Sequence, residues 1–275
     1  MNYLFTSKLR LVLKEYMDRV PEWHDYCTRC LRTDRWSGNV ILMIVDAAFT
    51  SIGLNYFVSV VPHVIEFEEE FVKTGLITNF ESLVKMDIHK LQRIWKNRRS
   101  WFIAKKIAEQ LNNEIRNTKY EIRNTKYEIR DTKRGTQNVE RRTQNVERGT
   151  WNVERETMVK AFRSWAFRAT LENWKEDSIG KINGVGINTY QYLRMMGGVD
   201  TVMPDKIVKR VINGILEESN QNIKYRTDEE FVYLVEDMAK FTGYRPIEIT
   251  WMTWLVQSEG DKVRIDKYRT ILPRI

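Results

Sequence analysis

The residues best suited to chemistry lie between positions 179 and 212. Gly184-Val185-Gly186 sits between two short apolar stretches, and Asp205 stands directly before Lys206-Ile207-Val208-Lys209-Arg210-Val211-Ile212. Glycines let the chain turn through positive φ with no side chain in the way. The N–H groups of the turn that follows, near Ile187 to Tyr190, then lack helical partners. With the helix dipole behind them they form an anion site that a phosphate can approach closely. Lys181 stands on the approach and adds a charge-assisted contact. Asn188, Thr189 and Lys206 complete the candidate contact set. Such contacts position a nucleic-acid backbone without reading its sequence. Asp205 suits a second task, chemistry on a nucleotide held there, since a carboxylate stabilises positive charge that develops nearby and orients a water. The plainer reading of Asp205 is a helix N-cap, and the two roles are compatible. The plainer reading of the glycines is an αα-hairpin whose glycines serve only its turn.

Two segments carry a family resemblance. Ile182-Asn183-Gly184-Val185-Gly186-Ile187-Asn188-Thr189-Tyr190 and Pro204-Asp205-Lys206-Ile207-Val208-Lys209-Arg210-Val211 resemble the hairpin and the acid-bearing helix of the helix-hairpin-helix DNA glycosylase superfamily. That group contains endonuclease III, the adenine glycosylases and the alkylbase glycosylases. Val45 to Asn55 is similar to the family's early helix, whose end pushes a side chain into the DNA stack. Asp87 to Leu111 resembles the helix pair that precedes the hairpin, so the likeness spans residues 35–113 and 158–216. It implies that Asp205 is the catalytic carboxylate. It also implies that Lys181, Gly184, Val185, Gly186, Asn188, Thr189 and Lys206 contact double-stranded DNA, from which a damaged or mismatched base is flipped.

Where bifunctional members carry a Schiff-base lysine this chain has Asn188. An amide forms no imine, so the resemblance implies a monofunctional glycosylase without lyase activity. Asn183 replaces the family's proline, and Lys206-Ile207 replaces Thr-His. These departures keep a second reading open, a non-catalytic helix-hairpin-helix protein that recognises damaged or distorted DNA. Asp200 lies in the literal string Val199-Asp200-Thr201, but no helix pattern follows at the required distance.

With 45 basic and 37 acidic residues the chain of 275 carries a net charge of +8. That excess agrees with a nucleic-acid partner, although half of it falls within residues 114–155. The iron–sulfur cluster of many superfamily members needs four C-terminal cysteines, and residues 213–275 contain none. Cys27, Cys30 and His24 fall short of a closed zinc site, which takes four ligands; no metal or cofactor is expected. The most apolar run, Val40 to Val45, stops at Asp46, far short of a membrane span, and reads as a core helix. A monomeric cytoplasmic protein is expected, nucleoid-associated in a prokaryote.

The elements that must position these residues are helical throughout. Periodicity predicts helices over 3–19, 39–61, 63–73, 80–86, 87–95, 99–113, 158–173, 176–183, 188–197, 205–218, 228–242 and 246–257, with a Thr227/Glu230 capping box. Residues 114–155 are six seven-residue units such as Glu-Ile-Arg-Asn-Thr-Lys-Tyr. They offer one apolar column where a coiled coil needs two, and the phase slips between Ile129 and Val139. The segment reads as a mobile or partly helical insertion.

The expected architecture is all-α, with two helical domains flanking a DNA cleft. Residues 1–36 plus 219–275 form one domain. Residues 37–113 plus 156–218 form a barrel-like domain ending in the hairpin. Tyr244, Trp251 and Trp254 read as core aromatics, with stacking on a flipped base as their alternative. Trp23, His24 and Trp36 have no assignment.

Overall fold

A computed structural model describes residues 5–130, 146–259 and 262–275. The fold is all-α. Helices α1 (Ser7–Asp18) and α2 (Trp23–Arg32) lead through a tight turn into α3 (Val40–Thr50). Then come α4 (Val61–Phe67), α5 (Phe80–Lys85), α6 (Ile88–Ile94), α7 (Arg98–Arg130) and α8 (Val146–Arg168). The second half comprises α9 (Ile187–Met196), α10 (Lys206–Glu218), α11 (Asp228–Thr242), α12 (Pro246–Leu255) and the single turn α13 (Arg264–Lys267). The described extended structure is one antiparallel ladder of Ser258–Glu259 against Lys262–Val263.

Helix α3 is the axis. Every residue from Val40 to Phe49 is buried, as expected of a helix that is apolar all round. Asn39 starts it by accepting from the N–H groups of Ile41 and Leu42 at 3.0 and 3.3 Å. Around α3 pack α4, α7, α8 and α9, while α1 and α2 lie on α10, α11 and α12. The chain's two ends therefore meet: Leu9, Leu13 and Met17 of α1 join Phe231, Leu234 and Met252 in one core. Each such side chain contributes about 1.5–3 kcal/mol on burial.

Several elements differ from their sequence expectation. The stretch 39–61 is two helices, parted at residues 51–55 where Gly53 adopts φ +73°. Asn55 caps the second piece, which begins and ends in π-helical turns, Tyr56–Val60 and Glu68–Val72. Helix α2 was not anticipated, because its buried face is only Tyr26, Cys27 and Cys30. Residues 176–183 are a chain of turns and not a helix. There the Asp177 side chain accepts from the Ile179 N–H at 2.9 Å and competes with the helical ladder.

The repeat units at 114–130 continue α7, and those at 146–155 open α8; residues 131–145 lie outside the described residues. The capping box is half formed. Thr227 accepts from the Glu230 N–H at 3.1 Å, but Glu230 reaches back to the N–H of Arg226 at 2.6 Å.

Candidate functional site

A cavity of about 550 Å³ opens where five segments converge. They are the loop after α3 (Thr50, Ser51, Gly53–Tyr56), the glycine turn with the start of α9, the start of α10, Asp228 at the start of α11, and the C-terminal pair Trp254 and Arg264. Gly184 sits at φ +101°, in the left-handed region, and a Cβ there would lie 2.8 Å from Arg99 Nε and from Ile103 Cδ1. The turn therefore closes against α7 only with glycine. Gly186 has an ordinary φ of −98° and caps α9 with no side-chain bond. A Cβ on Gly186 would meet nothing within 4 Å, so the space beside that glycine at the start of α9 is open. Val185 is buried beneath the turn. Asn188 lines the cavity, and its Oδ1 is buried with no hydrogen-bond partner in the described structure.

Asp205 faces this space from the α10 N-cap. Its Oδ1 accepts from the N–H groups of Ile207 and Val208, both at 2.8 Å. Its Oδ2 accepts from Trp254 Nε1 at 2.9 Å. Burial raises the Asp205 pKa above the usual value, and the two amides, the indole and the Arg264 charge pull it back only in part. Arg264 is buried, with its guanidinium over the rings of Trp254 and Phe57 at 5.5 and 5.7 Å. Lys206 is exposed at the rim, and Lys209 is ion-paired with Asp228.

A buried polar cluster supports the floor. Asp46, the one ionisable residue of α3, is fully buried. Its Oδ2 accepts from Trp36 Nε1 at 2.8 Å, Tyr192 OH at 2.9 Å, Tyr56 OH at 3.0 Å and Arg35 Nη2 at 3.3 Å. Burial raises the Asp46 carboxyl above the usual range, and Arg35 with the three neutral donors pulls it back only in part. Trp36 and Ser37 reach this arrangement through left-handed backbone, φ +50° and +54°. Tyr56 joins the two clusters. Its hydroxyl is on Asp46, and its ring meets the Trp254 ring edge-on, centroids 5.2 Å apart.

The structure thus brings Gly184, Gly186, Asn188, Thr189, Asp205 and Lys206 to one cavity. Lys181 stands apart from it, exposed and paired with Glu176 at 3.0 Å. The cation beside the turn is Arg99, whose side chain lies against Gly184. Asp200 is structural, holding Arg245 Nε at 2.8 Å and the Ile247 N–H at 3.0 Å.

Cys27 and Cys30 are buried free thiols. Among the described residues no group of three His, Cys, Asp or Glu side chains is placed to hold a metal, and no helix is long and apolar enough to cross a membrane. Sequence reasoning missed Arg264 and Tyr56, and it read Trp254 first as core. No local motif marks them, because Trp254 and Arg264 reach the cavity through the packing of α12 on α10 and of α13 on α12, and Tyr56 through the loop after α3. Compared with family models, curated proteins and solved structures, the chain matches none.

Proposed function

We propose that this protein is a monofunctional DNA N-glycosylase with Asp205 as its catalytic carboxylate, akin to the helix-hairpin-helix type in its glycine turn and following helix, although the arm before the turn is a chain of turns. One observation carries the reading. Asp205 is anchored by two amides and an indole in the same cavity that the glycine turn and the uncapped start of α9 line. A backbone phosphate seats on the α9 amides beside Gly186, where no Cβ obstructs it. The strand so held presents an extruded base to the cavity, which is roomy enough for one.

Ionised Asp205 stabilises the positive charge that grows on the sugar as the bond from C1′ to the base nitrogen breaks. The bonding pair leaves with the base. Water adds at C1′, and its proton is lost to the carboxylate or to solvent. Asn188 supplies no amine, so no imine forms and the strand stays intact.

Lesion-bearing duplexes treated with protein and then hot alkali test this. Strand breaks are expected only after alkali, and Asp205→Asn is expected to slow their appearance by about a hundredfold. Breaks without alkali would point to a lyase. Binding with no abasic product on any lesion would favour the non-catalytic reading, in which Asp205 is a cap and nothing more.

A further inference from the structure

Beside the glycine turn, outside the cavity that holds Asp205, lies an open concavity of about 520 Å³ lined by Arg98, Arg99, Phe102 and Asn183. Its charge is built in an unfavourable place. Lys96, Arg98 and Arg99 are exposed around the start of α7, and that first turn contains no acidic residue. Cations at a helix N-terminus are opposed by the helix dipole. Neighbouring cations are neutralised locally, Arg93 by Glu70 at 3.7 Å and Lys106 by Glu109 at 2.7 Å. No carboxylate among the described residues pairs with Arg98 or Arg99. Between them and the next turn Phe102 stands 46% exposed, an aromatic face left in water beside two guanidinium groups.

We infer that this concavity binds a single-stranded segment of DNA, with Arg98 and Arg99 on its phosphates and Phe102 stacked on an unpaired base. Guanidinium groups suit phosphate oxygens, and an aromatic ring beside a basic groove stacks bases with little sequence preference. A paired base hides its faces in the duplex, so the Phe102 ring favours an unpaired one. The patch is continuous with the candidate site through Gly184, which lines that cavity while packing under Arg99. The choice of DNA over RNA rests on the reading of Asp205 given above.

Fluorescence anisotropy with a labelled blunt duplex and the same duplex bearing a single-stranded extension tests the inference. The wild-type chain is expected to prefer the extended duplex. Phe102→Ala is expected to cut affinity for the extended form about tenfold while leaving the blunt form within about twofold. Arg98→Ala is expected to reduce the slope of log affinity against log salt on the extended form by about 0.7. Both side chains are exposed, so unchanged melting curves serve as the folding control.

The inference is overturned if both variants bind the extended duplex like wild type, if they lose blunt and extended duplex equally, or if an RNA extension binds more tightly than DNA. An excision assay on the same proteins separates the two ideas. Excision by protein whose extension preference ignores Phe102 and Arg98 sinks this inference alone. A Phe102-dependent preference without any excision sinks the glycosylase reading alone.

Discussion

Two influences compete at Asp205: the amides it caps favour the carboxylate, and burial favours the acid. Burial wins, and the pKa is raised. A reaction that needs the charged form is then lost as pH falls through that raised value. The acid limb of single-turnover excision is expected above the ordinary aspartate pKa of about 3.9.

Trp254 donates to the charged form at 2.9 Å, so Trp254→Phe is expected to move the limb further up. It is also expected to slow excision at neutral pH by about tenfold or more, the worth of a hydrogen bond to a charge. A Trp254 that only fills space would lower the melting temperature and leave the limb in place. The same shift has a consequence for folding. The contribution of Asp205 to stability is full below its unfolded pKa and is lost as pH rises through the folded one. Urea titrations across that window are expected to show stability falling less with pH in Asp205→Asn than in wild type.

The glycine turn separates two roles that a bare Gly-x-Gly motif leaves merged. Gly184 holds positive φ against Arg99 and Ile103, and Gly186 faces open space with ordinary backbone. Gly184→Ala is expected to cost about 1–3 kcal/mol of stability through strain and contact, read as a lowered midpoint in urea. Gly186→Ala is expected to stay within about 0.5 kcal/mol of wild type. It is nonetheless expected to weaken DNA binding, because the new methyl group projects into the open space beside the start of α9 where the phosphate is proposed to seat. Equal destabilisation by both changes would mean that neither glycine is there for a ligand. The arm before the turn needs no helix for this, since the bonds that hold Val185 and Ile182 back on the preceding turns keep the geometry closed.

Across the whole molecule, the cavity depends on a buried ion pair that joins distant parts of the chain. Arg35 from the turn before α3, Asp46 in α3, Tyr56 after it and Tyr192 in α9 converge on one carboxylate oxygen. Removing that carboxylate leaves a guanidinium buried with no counter-charge. Asp46→Ala is therefore expected to cost about 3–5 kcal/mol, measured by urea denaturation. Tyr56→Phe removes a donor to Asp46 and the hydroxyl that accepts from Arg35 Nη2 at 2.8 Å but leaves Arg35 and Asp46 paired, and is expected to cost about 1–3 kcal/mol. If Asp46→Ala proved as mild as a surface change, the pair would not be what holds the loop and α9 together.

Much of this was legible in the residue pattern. The helical period over 205–218 and 228–242, the cap at Asp205, the need for glycine at a tight turn and the burial of 40–45 follow from local chemistry. Each depends on residues within a turn or two of one another, and their spacing alone encodes it. The turns that Asp177 caps at 179–180 and the break at Gly53 are local too, and sequence reasoning missed them. Tertiary structure decided the rest.

Trp254 and Arg264 reach Asp205, and Tyr56 reaches Trp254, from positions far apart in the chain, and so does Arg99 reach Gly184. Such partners are chosen by which helix faces must be buried together. A side chain's own neighbours in sequence carry no record of that choice, because it is made by the packing of α4, α7, α8 and α9 around α3 and of the N-terminal helices against α10 to α12.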